Sequence, residues 1–155
     1  MEFAIHPLKG VNDIQFGMTE GKVRELMRGA TITTRRGDIV NETGHIWASE
    51  IYYHEGVRFD YDEGGHLEAA EFFKPAVVLI GGVRILDLSF GQALSTLARI
   101  DPNIAIEEDG ATSFELALGI WVEDAGKGAN SPIETFLVGR PGYYDFLRQG
   151  TAKPS

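Results

Sequence analysis

A chain of 155 residues has room for one domain with a sizeable core, or for two small units sharing one, and is too short for two independent enzymes. Its 23 acids against 14 lysines and arginines leave a net charge of −9, which disfavours nucleic acid and makes basic proteins the plausible charged partners. Cysteine is absent, which excludes disulfides, thiolate metal sites and cysteine nucleophiles.

The chain begins Met-Glu-Phe-Ala-Ile-His-Pro7, without a basic leader or a long apolar run, and no later segment is apolar for long enough to span a bilayer. A cytoplasmic protein is the expectation. Glu2 to His6 reads as a strand stopped by Pro7, and Lys9 to Asp13 as a turn before Ile14. Thr19 then caps a short amphipathic helix with Val23, Leu26 and Met27 on one face; Gly21 weakens it and Gly29 ends it. Thr31 to Arg36 suits an edge strand that turns at Arg35, Arg36 and Gly37, and Asn41 to His45 suits a loop. From Ile46 to Tyr61 the pattern is strand, broken or bulged at Gly56, with Val57, Phe59 and Tyr61 facing one way and Arg58, Asp60 and Asp62 the other. Asp62 to Gly65 is a turn, and Leu67 to Phe73 returns as its hairpin partner.

A second unit follows. Val77 to Ile80 and the Gly81-Gly82 turn lead to Ser89, which forms a capping box with Gln92 and opens a helix carrying Phe90, Ala93, Leu94 and Leu97 on one face. Asp101-Pro102 closes that helix. Ile104 and Ile106 alternate up to the hairpin signal Asp109-Gly110. Phe114, Leu116, Leu118, Ile120 and Val122 mark the buried face of one long strand, with Glu115, Trp121 and Glu123 opposite. Ala125 to Ser131 reads as a flexible connection, Pro132 to Val138 as the return strand, and the tail from Pro141 carries enough aromatic surface to pack somewhere.

The two capped helices start seventy residues apart, and each is followed by a polar stretch, a long strand, a turn and a strand with glutamate beside apolar residues. The fold class is therefore α+β: a single domain, 1–155, of two tandem repeats at about 9–75 and 79–140 with a tail at 141–155. Each repeat is a short helix followed by antiparallel strands, and the combined sheet carries helices on one face and leaves the other open.

Phe16-Gly-Met-Thr19 with Val23 and Leu26, followed by strands ending in Tyr61-Asp-Glu-Gly-Gly65 and Leu67-Glu68, resembles the repeat shared by small outer-membrane assembly lipoproteins and the tandem-repeat β-lactamase inhibitory protein. In the second half Gly-Met-Thr is replaced by Asp87-Leu88-Ser89, and the resemblance there is one of outline. Those relatives are secreted or lipid-anchored, and the inhibitor uses disulfides. The resemblance implies a fold and a habit of binding other proteins on a sheet face, with no target specified.

Charge is partitioned along the chain. Between Asp38 and Glu71 lie nine acids and one base, Arg58; between Asp101 and Glu134 lie eight acids and one base, Lys127. The bases gather instead around the first helix, at Lys22, Arg24, Arg28, Arg35 and Arg36. Such a distribution suits a surface steered toward a basic partner, the plain alternative being a charged skin that keeps the protein soluble. Trp121 and Phe136 fall out of phase with their strands' apolar faces, as interface anchors do, or else pack beneath the tail. Asp60, Asp62, Glu68, Glu115, Trp121, Glu123, Glu134 and Phe136 are thus the candidate partner-binding residues.

Two other chemistries compete with this one. Asp60, Asp62, Gly65, Glu68 and Glu71 match calcium-loop spacing, but Gly64 stands where an oxygen ligand belongs and the preceding segment makes a poor helix. His6, His45, His54 and His66 are scattered, and a His54, Glu55 and Asp60 grouping is better explained as a wet strand face than as a catalytic site. The leading expectation is a non-enzymatic inhibitor or immunity-type protein that neutralises a basic partner, plausibly a toxin enzyme, without metal or cofactor. A scaffold module and a calcium-binding module stand as alternatives.

Overall fold

The computed structural model describes residues 1–40 and 46–145; the expected loop at 41–45 and the end of the tail lie outside the described residues. In chain order the strands and helices are β1 (Glu2–His6), β2 (Gly10–Val11), β3 (Ile14–Gln15), α1 (Glu20–Leu26), β4 (Thr34–Val40), β5 (Ile46–Tyr52), β6 (Val57–Tyr61), β7 (Leu67–Phe73), β8 (Val77–Ile80), β9 (Val83–Arg84), α2 (Phe90–Ile100), β10 (Ala105–Ile106), β11 (Gly110–Ser113), β12 (Leu118–Val122) and β13 (Ile133–Gly139). The class is α+β, and antiparallel pairing dominates.

Eight strands form one sheet in the order β10-β11-β12-β13-β7-β6-β5-β4, and five form a smaller one in the order β3-β2-β1-β8-β9. The small sheet departs from expectation in holding a parallel pair, β1 with β8, aligned as Phe3 to Val78. Both helices begin where the sequence places them: the Thr19 hydroxyl accepts from the Lys22 N–H, and Ser89 with Gln92 closes a full capping box. Each cap is also bridged to the large sheet, Thr19 to His66 and Ser89 to Pro132.

One core joins the layers. Val23 and Met27 of the first helix region, Phe90, Ala93 and Leu97 of α2, and Phe3, Ile5 and Val78 of the small sheet pack with Phe59, Phe72, Ile120 and Phe136 of the large one. The rings of Phe3 and Phe72 sit 5.0 Å apart, tying the two sheets together. Each such aromatic removed from water contributes about 1.5–3 kcal/mol. The helices and the small sheet therefore cover the same face of the large sheet.

Several expectations are corrected. Residues 35–37 continue β4 instead of turning, and the register shifts between Arg36 and Ile39. The long strand expected from Phe114 to Val122 is broken by a turn at 114–117, where Ala117 takes φ 52°, although Leu118, Ile120 and Val122 do face the core. Ala125–Asn130 forms a 3₁₀ segment lying against α2, so close that a Cβ on Gly91 would meet the Ala129 Cβ at 3.1 Å.

Phe136 is the most consequential correction. It is fully buried on the helix-covered face, not on the outer one. The cause is a bulge: Val122 pairs with Ile133 and Trp121 with Thr135, so Glu134 is the extra residue and the alternation of β13 reverses after it. The same irregularity occurs in the other hairpin, where Tyr61 pairs with Leu67 and Asp60 with Ala69, leaving Glu68 extra.

Nor is the outer face wholly open. Tyr143 and Tyr144, just after β13, fold back over it and pack on Ala69, Ala117 and Leu137, with Trp121 beside them. Gly119 and Gly139 make this approach possible. A Cβ on Gly119 would meet the Tyr144 hydroxyl at 2.7 Å, and one on Gly139 would meet Tyr143 at the same distance. Among the described residues, no helix is long and apolar enough to cross a membrane.

Candidate functional site

The strand period places Ser49 and Ile51 of β5, Arg58 and Asp60 of β6, and Glu71 and Phe73 of β7 on the outer face, beside Thr135 and Leu137 of β13. Its β12 side is filled by Trp121 and the two tail tyrosines; its β6 side carries charge instead.

Arg58 organises that charge. Its Nε donates to Asp60 Oδ1 at 2.9 Å and its Nη2 to Asp60 Oδ2 at 3.1 Å, a two-pronged contact that fixes the guanidinium plane. The Ser49 hydroxyl donates to the same Asp60 Oδ1 at 2.8 Å. Arg58 Nη2 also reaches Glu71 Oε2 at 3.4 Å. Burial alone would lower the Arg58 guanidinium, but Asp60, through charge and hydrogen bond, and Glu71 outweigh it and raise it. For Glu71 the balance goes the other way. Burial pushes its carboxyl above the ordinary value, Arg58 opposes this, and Asp60 and Glu134 add to the rise. One guanidinium thus serves several carboxylates, and Asp60 holds most of it.

Next to this network the face dips into a groove of about 350 Å³, lined by Ile51, Tyr53, Arg58, Glu71, Phe73, Glu134 and Thr135. Tyr53 is 53% exposed and meets Phe73 edge-on at 5.9 Å between ring centroids. The tail borders the groove's charged floor: burial first, then Asp60 and Glu68, raise the Tyr143 hydroxyl.

The eight residues singled out by sequence do not form one surface. Asp60 is on the outer face but nearly buried and already paired, and Glu134 lines the groove. Glu68 is buried with Arg140 Nε 3.8 Å away, and Trp121 is half-buried beneath the tail. Glu115 is exposed in the turn before β12, and Glu123 is exposed beyond that strand's other end. Phe136 lies in the core. Asp62 is held in its own turn, where Oδ1 accepts from the Gly64 N–H at 3.0 Å and the His66 N–H at 2.9 Å. That engagement, with Glu71 turned to Arg58, disperses the ligands of the calcium spacing. His54 is exposed in the β5–β6 turn, while Asp60 is committed to Ser49 and Arg58.

Sequence reasoning missed Ile51, Tyr53, Arg58, Glu71 and Phe73 as site members. The available signal was spacing: Ile51 with Tyr53, Arg58 with Asp60 and Glu71 with Phe73 are pairs two residues apart, the mark of side chains sharing a strand face. No family model, curated protein or solved structure matches the chain.

Proposed function

We propose that this chain is a non-enzymatic, acidic binding module of inhibitor or immunity type, which neutralises a basic protein partner of the toxin-enzyme kind with the uncovered part of its large sheet. The observation that carries the reading is the excess of acid at the groove: Asp60 and Glu71 share the guanidinium of Arg58, the one cation among the described side chains there, and Glu134 and exposed Tyr53 line the groove beside them. A surface of net charge −9 steers cationic partners toward it from a distance, and a carboxylate-lined groove with aromatic walls then offers short contacts. The proposal extends to a cytoplasmic location, tested by fractionation: recovery with membranes or in the medium overturns it.

The reading also includes a duplicated architecture. Taking β2-β3-α1-β4 to β7 as one copy and β8-β9-α2-β10 to β13 as the other, equivalent strands occupy mirror positions in both sheet orders, with β1 as an additional strand between them. Three further features support it. Leu137 of β13 pairs with Glu71 of β7 at the middle of the large sheet, each the fifth residue of its strand. Each hairpin has its bulge at the same place, and each helix cap is bridged to the residue before its return strand.

Affinity capture from a lysate of the protein's own source, washed at low and high salt, tests the binding role. A basic protein held at low salt, lost as salt rises, and no longer held by the Glu71→Lys, Glu134→Lys variant is the expected result. Retention unchanged in that variant would remove the acidic groove from the account.

A further inference from the structure

Resting on that reading, we propose that the groove between Tyr53, Phe73 and Glu134 receives one lysine or arginine side chain of the partner protein. Three observations converge on a long cationic side chain. Charge comes first: two of Arg58's three contacts go to Asp60, its reach to Glu71 is 3.4 Å, and the Glu134 side chain makes no hydrogen bond or ion pair among the described residues. Among the described side chains that line the groove, Arg58 is the single cation facing two glutamates.

Shape comes next. The groove holds about 350 Å³ beside Ile51, room for an alkyl stem along an apolar wall with a hydrated head group above it. The third observation is aromatic placement. Tyr53, half exposed, and Phe73, 5.9 Å from it at 63°, present ring surface on the same groove as the two carboxylates. A cation within about 6 Å of such rings is attracted by their π faces while it pairs with Glu71 or Glu134. A second copy of the chain is disfavoured as occupant, because both copies would carry −9.

The test is a two-dimensional NMR titration of the full chain with N-butylguanidinium and n-butylammonium at constant ionic strength, using N-butylurea as the neutral analogue of the same shape. Expected are saturable shifts at Tyr53, Phe73 and Glu134 with both cations and none with the urea. The Glu71→Gln, Glu134→Gln variant weakens binding about tenfold, as the loss of two partly exposed ion pairs should. Tyr53→Ala, at an exposed ring, weakens it without touching the core. Equal binding of the urea, or no saturable shift at these residues, overturns the proposal. So does cation binding that appears only in a full-length Arg148→Gln, Lys153→Gln variant, since that result assigns the groove to the chain's own end. The two proposals fail separately. If Tyr53→Ala leaves partner capture intact while charge reversal abolishes it, the side-chain receptor is lost and the acidic docking face stands. If the cations bind and no basic protein is captured, the receptor stands and the inhibitor reading falls.

Discussion

Glu50 is fully buried on the helix side of the large sheet, and among the described residues one guanidinium pairs with it: Arg24 Nε donates to Oε2 at 2.8 Å, while Oε1 has no partner there. Arg24 is 44% exposed at the side chain, so the pair is half wet. Removing Arg24 strands a buried carboxylate, whereas removing both charges does not. Arg24→Met is expected to cost about 3 kcal/mol, the low end for a stranded buried charge, and Arg24→Met with Glu50→Leu much less; urea unfolding of the two variants distinguishes them. The same carboxylate shapes the alkaline limit of stability. Burial first, then the charge of Glu50, pushes the Tyr52 hydroxyl up to about 12. A raised acid favours its protonated form in the folded state. Its contribution is therefore intact below the unfolded value of about 10 and is lost as pH rises toward 12. Tyr61, Tyr143 and Tyr144 are raised by burial in the same direction. Urea midpoints should fall steeply between pH 10 and 12, and Tyr52→Phe should recover about 2 kcal/mol of that loss.

Among the elements, the cover formed by Tyr143 and Tyr144 depends on a missing side chain. Gly119→Val would drive a methyl-bearing Cβ into the Trp121 ring at 2.6 Å and the Tyr144 hydroxyl at 2.7 Å. The expected cost is about 1–3 kcal/mol, the usual range for overpacking. Trp121 emission, read in a Trp47→Phe background, should shift to the red as the tail lifts away; unchanged emission would mean that the tail does not rest on Gly119. This element also marks where sequence reading stops. Leu67–Phe73 and the Ser89 capping box were legible because alternation and cap chemistry are local. Phe136 was misplaced because no residue type announces the bulge at Glu134, and one extra residue reverses everything after it. The turn at Ala117 was hidden because a non-glycine takes a positive φ there, and the β1–β8 pairing because partners more than seventy residues apart leave no local pattern. The site was half legible. Acidity and face were readable, but the sharing of Arg58 between Asp60 and Glu71, with Glu134 beside them, depends on distances across three strands.

For the molecule as a whole, the governing quantity is a charge of −9, on a frame in which Arg24, Arg58 and Arg140 already pair with acids of the sheet. Association with a basic partner should slow as ionic strength rises, because screening shortens the reach of that field to about 8 Å at physiological salt. Stopped-flow rates measured against salt should give a steep dependence for the native chain and a flatter one for Glu71→Lys, Glu134→Lys, with dissociation rates changing as well. A rate indifferent to salt in both would take steering out of the account.

The two tyrosines that follow β13 rest on Gly119, Leu137 and Ala69, beside Trp121; Arg58, Asp60 and most of the groove lie on β5 to β7, across the large sheet's midline, with Glu134 and Thr135 of β13 at the groove's near edge. A frame whose strands are ordered alike on either side of that midline would otherwise offer two comparable docking faces, and with them bivalent capture, crosslinking and avidity. With part of one side closed by its own aromatic tail, the proposed binder would be monovalent: each chain would titrate one partner molecule, and excess partner would remain free instead of being drawn into a network.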